Sequence, residues 1–254
     1  MRWVIRILVG IVVAAVVVGV AGYWYARPLL LTGTGYAAHN ACVLTRLADR
    51  PADDDLPPNP LVPYLRTSTT DDGARTTILG ALAGQRAWYS PGFGCTLADA
   101  APDLGEPTPI APNALTAAPA PAPSAELDAA VGRAFGDDLD AAAQAELGTR
   151  AVVVLHDGEL VAERYADGFT AATPQLGWSM TKSVTNLLTG GMVANDRIAV
   201  DDDALRPEWT DGRRDITVDD LLRGTVGLEW DETYGLGTPI TRMLYLEEDM
   251  AGYV

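Results

Sequence analysis

The stretch AVVVLHDGELVAERYADGFTAATPQLGWSMTKS, residues 151–183, decides the fold class of this chain. It begins with an apolar run at 151–155, and a second strand-like run follows at 160–165. Two such runs around an Asp-Gly turn predict a β-hairpin. His156 lies at this turn, so we expect it to be exposed and to take no part in catalysis.

Helical spacing governs the residues that follow the hairpin, GWSMTKSVTNLLTGG at 177–191. Apolar residues repeat there as one face of a helix, at Met180, Val184, Leu187 and Leu188. Polar residues share another face, at Ser179, Lys182, Ser183 and Asn186. We expect Ser179 to lie in the first turn, and Gly190–Gly191 to end the helix or to kink it.

The pair Ser179 and Lys182 has the residue types that nucleophilic catalysis needs. A serine hydroxyl is a weak nucleophile until a base takes its proton, and Lys182 is the only candidate base nearby in sequence. The positive end of the helix dipole would favour negative charge on Oγ, and the Ser179 N–H could supply half of an oxyanion hole. To act, Lys182 must lose its proton, which requires burial or a nearby positive group. The alternative is that the pair has no catalytic role, and that Lys182 simply extends from a surface helix.

Composition makes Lys182 informative. Of 18 basic residues, 17 are Arg and Lys182 is the single Lys. Arg cannot release its proton near neutral pH, whereas a desolvated Lys can. A single lysine in a chain whose other basic residues are all arginines indicates a role that needs deprotonation. The alternative is that this lysine was retained by chance. The chain has 5 serines, so a serine three positions before that lysine is an uncommon coincidence.

Charge and composition exclude several classes of function. The formal net charge is −16, which disfavours nucleic acid and anionic partners. The acidic runs 53–55 and 201–203 have no His or Cys nearby, so we interpret them as solvated loops and expect no metal site. With only His39 and His156 in the chain, neither a zinc site nor a serine–histidine triad has enough residues.

The N-terminus predicts a membrane segment. Ile7 to Ala26 is a run of 20 uncharged residues, enough to span a bilayer as a helix. Arg2 and Arg6 precede it, so the positive-inside rule places the rest of the chain outside the cytoplasm. A cleaved signal peptide is the alternative, but cleavage after Ala26 would put Trp24 where a small residue is preferred. We favour an uncleaved, single-pass anchor.

The sequence divides into four predicted segments. They are the anchor or signal segment (1–26), an exported extension (27–101), a Pro/Ala-rich linker (102–123) and a segment at 124–254 that begins with a helix from Ser124 to about Phe135. Cys42 and Cys95 both lie in the exported extension, where an even number of cysteines indicates a disulfide.

Three segments resemble the β-lactamase-related serine hydrolases of the class C and 6-aminohexanoate-dimer hydrolase type. They are 151–165, WSMTKS at 178–183 and ITVDDLLRGTVGLEWD at 216–231. GFGCTL at 92–97 also resembles the N-terminal extension of exported members. Val226 stands where the family usually has a non-catalytic Ser, and the resemblance covers about half of the chain well.

The resemblance implies an α/β fold of the β-lactamase/transpeptidase type, with an antiparallel sheet flanked by helices and a helical lobe. It implies acylation of Ser179 with Lys182 as base, and hydrolysis of an ester, amide or β-lactam. The substrate would be a small acyl compound, and no metal or organic cofactor is needed.

The family's other catalytic motifs are missing from the sequence. The resemblance implies a Tyr-x-Asn or Tyr-x-Ser motif and a Lys/His-Thr/Ser-Gly strand, and neither occurs between Ser183 and Val254. We therefore expect the domain to be incomplete at its C-terminal side and this chain to be inactive alone. The alternative is a membrane-anchored protein that binds β-lactams or peptidoglycan, or senses them, without turnover.

Overall fold

The computed structural model describes residues 2–53, 59–109, 121–175 and 177–253. The middle of the predicted linker, 110–120, and most of the acidic run 53–55 lie outside the described residues. The helices are α1 (Arg2–Arg46), α2 (Ala125–Ala134), α3 (Ala141–Leu147), α4 (Met180–Ala194), α5 (Val218–Arg223), α6 (Pro239–Leu246) and α7 (Met250–Tyr253). The strands are β1 (Leu65–Thr70), β2 (Gly73–Ile78), β3 (Leu82–Ser90), β4 (Gly94–Leu97), β5 (Ala151–His156) and β6 (Glu159–Tyr165). Short 3₁₀ helices lie at Val62–Tyr64 and Gly212–Asp215.

Helix α1 has two halves with different surroundings. Its apolar N-terminal part is exposed from Arg2 to Gly22, whereas most residues between Thr32 and Leu44 are buried. Pro28 lies inside the helix near the change from one half to the other. Within the described part of the chain, α1 is the helix long and apolar enough to cross a membrane, and a signal sequence has the same features.

Strands β1 to β4 form an antiparallel meander that covers the buried half of α1. Neighbours in sequence are neighbours in the sheet, in the order β1-β2-β3-β4. Threonines and alanines fill the interface, and Ala74 and Ala87 pack directly against Ala38 and Ala41. Gly73 is required where β2 begins, because a Cβ there would lie 2.0 Å from the Ala87 carbonyl oxygen. The sequence analysis did not predict these strands.

A disulfide and a buried hydrogen bond join α1 to the sheet. The sulfurs of Cys42 and Cys95 are bonded, which confirms the predicted pairing and links α1 to β4. Toward the middle of α1, the Thr34 hydroxyl donates to the Ala83 carbonyl across 2.7 Å, and both groups are buried. A buried hydroxyl needs such a partner, so Thr34 fixes the position of β3 along the helix.

The predicted hairpin at 151–165 is confirmed as the antiparallel pair β5–β6, with an exposed His156 at the turn. The predicted helix after Ser124 is also confirmed as α2, and the Ser124 hydroxyl caps it by accepting from the Leu127 N–H. Helix α2 packs on one face of the hairpin through Phe135 and Ala162. Arg164 then pairs with Asp137 through two hydrogen bonds of 2.6 and 2.8 Å.

Helix α4 is confirmed where the sequence predicts it, but it continues to Ala194, so Gly190–Gly191 do not end it. None of the α4 residues is buried in the part of the chain that the structure describes. Its apolar face is exposed at Met180, Val184, Leu187, Leu188 and Met192. This exposure sets α4 apart from the buried half of α1.

Helix α5 begins with a capping box. Thr217 Oγ1 accepts from the Asp220 N–H, and Asp220 Oδ2 accepts from the Thr217 N–H. The side-chain hydrogen bond from Thr217 holds the pKa of Asp220 below its ordinary value. Gly224 ends the helix in the left-handed region, at φ 65°. The segment 216–231, one of the three that resemble the β-lactamase-related hydrolases, therefore consists of a short helix followed by a loop.

The pH dependence of the extension's stability should depend on His39. Burial against the sheet lowers the pKa of His39 below 6.5, and the backbone of Cys95 opposes this effect. Unfolded His39 binds its proton at a higher pH than folded His39. The free energy of unfolding therefore has its full value above pH 6.5. It decreases as the pH falls from 6.5 through the lower pKa of folded His39.

We expect His39→Gln to reduce the change in the free energy of unfolding between roughly pH 5 and 7, measured by urea denaturation in detergent. His156→Gln is the matched control, because His156 is exposed. An unchanged pH dependence in His39→Gln would contradict the assignment.

Candidate active site

Ser179 and Lys182 lie together at the start of α4. Ser179 occupies the position before the first helical residue, with helical backbone angles. The Lys182 ammonium Nζ donates to Ser179 Oγ across 3.3 Å. The three-residue spacing therefore brings the two side chains into hydrogen-bond reach. Ser183 and Asn186, which share the polar face of α4, are exposed one and two turns further along.

The backbone around Ser179 leaves a donor available. The next three N–H groups, of Met180, Thr181 and Lys182, donate to the carbonyls of residues 177, 178 and 179. The Ser179 N–H has no acceptor among residues 2–53, 59–109, 121–175 and 177–253. A free N–H at a helix N-terminus attracts developing negative charge. This N–H is therefore suited to be one donor of an oxyanion hole.

Both side chains of the pair are open to solvent. Ser179 and Lys182 are exposed, and Lys182 forms no ion pair with any carboxylate in the described part of the chain. Burial is the usual means of favouring a neutral amine, and the described residues do not bury Lys182. The arrangement thus provides a nucleophile, a neighbouring amine and one oxyanion donor, without walls that would exclude water.

An aromatic cluster holds the residue immediately before the nucleophile. We use this name for Tyr36, Trp178, Tyr234 and Tyr245. The Trp178 ring stacks on Tyr36 of α1 at 6.0 Å and meets Tyr234 edge-on at 6.5 Å. Tyr36 in turn meets Tyr245 of α6 edge-on at 5.7 Å. Burial, with Tyr36 and Tyr234 nearby, raises the pKa of Tyr245.

Trp178 has a backbone conformation that bulky residues rarely adopt. Its φ is 42°, in the left-handed region, which costs about 1–3 kcal/mol for a residue with a side chain. The contacts of the indole ring with Tyr36 and Tyr234 favour this conformation. Because Ser179 follows directly, the cluster also sets the direction in which the nucleophile enters α4.

Sequence reasoning missed this cluster. Trp178 belongs to the WSMTKS segment, whereas Tyr234 and Tyr245 belong to neither a Tyr-x-Asn nor a Tyr-x-Ser motif. No sequence signal joined either of them to Tyr36, which is more than 140 positions before Trp178 and reaches it only because α1 packs beside α6. The available signal was that these aromatic residues belong to no apolar periodic pattern, so their packing partners had to lie elsewhere in the chain.

A cavity of about 370 Å³ lies elsewhere, between α1, β3 and α6. Arg27, Gln85, Arg242 and Tyr245 are among its lining residues, and neither Ser179 nor Lys182 is. It is therefore not the site of the proposed nucleophile. Among the described residues, no three His, Cys, Asp or Glu side chains come together in a way that could hold a metal ion.

Part of the chain matches a known protein family. Residues 127–249 match the family model described as Beta-lactamase, and this range contains Ser179, Lys182 and the β5–β6 hairpin. No curated protein and no solved structure matches the chain at a significant level. The family match supports a β-lactamase-related family for this part of the chain, and it suggests serine hydrolase-type activity in general.

Proposed function

We propose that the chain carries the nucleophile of a serine hydrolase that forms an acyl-enzyme on Ser179, with Lys182 as base. The observation that carries this proposal is the 3.3 Å contact between Lys182 Nζ and Ser179 Oγ at the start of α4. The pair lies inside the range that matches the β-lactamase family. The substrate class is a small ester, amide or β-lactam, and the resemblance favours the class C and 6-aminohexanoate-dimer hydrolase type.

The proposed reaction has two steps. Neutral Lys182 accepts the Ser179 hydroxyl proton while Oγ attacks the acyl carbon, and the carbonyl oxygen becomes an oxyanion beside the Ser179 N–H. The leaving group departs with a proton as the acyl-enzyme forms. In the second step the amine accepts a proton from water, the hydroxide attacks the ester carbon, and Ser179 recovers its proton as the acid product leaves.

The cellular location that we propose rests on the N-terminal half of α1. We propose that residues 1–26 form an uncleaved single-pass anchor, with 27–101 as an extension outside the cytoplasm, 102–123 as a linker and 124–254 as part of the hydrolase domain. The exposed apolar surface of α1 and the Cys42–Cys95 disulfide both support an exported chain.

We also propose that full activity needs further protein packed against α4 and the hairpin. Leu187 is 75% exposed, and Val153 and Leu155 on the outer face of β5 are each 53% exposed. Full burial of a Leu or Val side chain adds about 1.5–3 kcal/mol to the free energy of unfolding. These three side chains are more than half exposed, so they gain only a part of it. A covering segment would also bury Lys182 and supply a second oxyanion donor, and both would activate Ser179.

Of three predictions about the active site, the first concerns the nucleophile. A fluorophosphonate probe should label Ser179 slowly but selectively, because the adjacent amine and the helix N-terminus distinguish it from the other serines. Peptide mass spectrometry should find the adduct at 179, and Ser179→Ala should remove it. Ser183→Ala is the matched control, since Ser183 is exposed one turn further along α4. Labelling that persists in Ser179→Ala would reject the assignment.

The second prediction concerns the base. Lys182→Arg should slow this labelling as much as Lys182→Ala does, by about tenfold or more, because Arg keeps the charge but cannot accept a proton. The measurement is the second-order labelling rate from gel fluorescence at several probe concentrations. If Arg supports the original rate, Lys182 acts only through its charge.

The third prediction concerns turnover. The 254-residue chain should hydrolyse p-nitrophenyl acetate no faster than its Ser179→Ala variant does. Loss of one oxyanion donor alone typically costs about 10²–10³ in rate, and the exposed pair lacks burial as well. Catalytic turnover that disappears in Ser179→Ala would show that the described residues are sufficient.

A further inference from the structure

The turn between β2 and β3 exposes two leucines at one end of the sheet. We call residues 79–82 the hairpin tip. Leu79 is 62% exposed and Leu82 is 43% exposed, with Gly80 and Ala81 between them. Turns between strands normally carry polar residues or glycine. Leu79 also has a φ of 51°, which Asn or Gly would adopt more easily. Folding of the sheet alone therefore gives no reason for leucines at this tip.

The tip points toward the apolar half of α1. Ala87, in the middle of β3, packs against Ala38 and Ala41 near the C-terminal end of the helix. Ala83, near the start of β3, instead contacts Thr34 and Tyr23. Moving back along β3 from Ala87 to Ala83 thus moves toward the N-terminus of α1. The hairpin tip, which precedes Ala83, lies at that end of the sheet.

Tyr23 fixes the depth of the tip along α1. The Ala83 N–H donates to the Tyr23 hydroxyl across 3.1 Å. Tyr23 stands near the end of the uncharged run, followed by the exposed residues Trp24 and Tyr25. Tyr and Trp concentrate at the membrane–water interface, where an apolar ring meets a polar edge. One hydrogen bond therefore places the start of β3 at the level of this aromatic belt.

Charge distribution agrees with this placement. The chain contains 34 acidic residues, yet the segment 73–90, which contains the tip and both of its strands, contains none and has two arginines. An anionic side chain beside the lipid surface would be unfavourable. The two arginines, which lie opposite each other on β2 and β3, are toward the Asp71–Asp72 end of the strands, where Arg86 binds Asp72 at 2.8 Å. The other end of the sheet differs, because Asp71 and Asp72 form its β1–β2 turn.

We propose that the hairpin tip inserts its two leucines into the headgroup region of the membrane that α1 spans, giving the extension a second contact with the lipid. This inference rests on the proposed anchoring through α1. The occupant is lipid, because the tip continues the apolar and aromatic surface of α1 itself. Together the two contacts would fix the orientation of α1 and its sheet relative to the membrane.

The experiment places a fluorescent label at the tip without removing either leucine. Ala81→Cys gives a single free thiol, because Cys42 and Cys95 are bonded to each other. The full chain is labelled with the nitrobenzoxadiazole (NBD) fluorophore and reconstituted, one copy per nanodisc, in phosphatidylcholine with or without acyl chains brominated close to the headgroup. Val13→Cys, in the middle of the apolar run, reports insertion of α1. Phe93→Cys, at the opposite β3–β4 turn and 47% exposed in the native chain, is the matched control.

Brominated lipid should quench the label at 81 by at least half as much as at 13, and should leave the label at 93 unquenched. The double substitution Leu79→Asp with Leu82→Asp should reduce quenching at 81 several-fold while quenching at 13 stays the same. These results together would support insertion of the leucines.

The contrary outcomes are distinct. No quenching at 13 would mean that α1 does not insert, and would overturn the anchoring proposal itself. Quenching at 13 with none at 81 would overturn the tip contact alone. Blue-shifted emission at 81 without quenching would mean that protein covers the tip. Quenching at 81 that survives both aspartates would show that the leucines are not the contact.

Discussion

Helix α1 must satisfy two different environments with one continuous backbone. Its N-terminal half presents large apolar side chains outward, whereas its C-terminal half presents small residues to a sheet. Close approach depends on these small residues, because a Cβ at Gly35 would lie only 3.0 Å from the Tyr245 Cβ. The sheet and α6 can therefore both reach the helix, and the position of each depends on it.

The same packing also positions the residues around Ser179. Gln85 of β3 donates to the Tyr245 carbonyl at 3.0 Å, and the Gly237 N–H donates to the Thr32 hydroxyl at 3.1 Å. These bonds hold α6 and the loop before it on α1. Tyr36 then contacts Trp178, so the direction of the chain entering α4 depends on a helix far away in sequence. By contrast, α4 itself has little support, and an isolated helix of this length is marginal in water. This difference is the physical basis for proposing that more protein covers α4.

Local signals in the sequence were sufficient for elements whose structure is determined by neighbouring residues. The β5–β6 hairpin, the Ser124 cap of α2 and the start of α4 follow from turn chemistry and periodicity over a few positions. The 3.3 Å contact between Ser179 and Lys182 also follows from spacing on a helix. The expectation that Gly190–Gly191 could end α4 was wrong, because glycine inside a helix costs only about 1 kcal/mol and hydrogen bonding can continue through it.

Long-range packing was not predictable from the same signals. The meander β1–β4 consists of short strands rich in Thr, Ala and Gly, which lack strong apolar alternation, although Asp71-Asp72-Gly73 between threonines was an available hairpin signal. The stacking of Tyr36 on Trp178 depends on how α1, α6 and the sheet pack, which no local pattern encodes.

The Cys42–Cys95 bond gives the extension a covalent topology with a consequence of its own. It joins the end of α1 to β4 across a sequence separation of 53, so all of β1, β2 and β3 lie inside one closed ring. Cutting a ring once opens it without dividing the molecule. A protease that cleaves any single peptide bond between these cysteines would therefore leave everything after Cys95 attached to α1. Shedding of the downstream part would need a cut beyond Cys95, a cut before Cys42, or a cut between the two cysteines together with reduction of the disulfide.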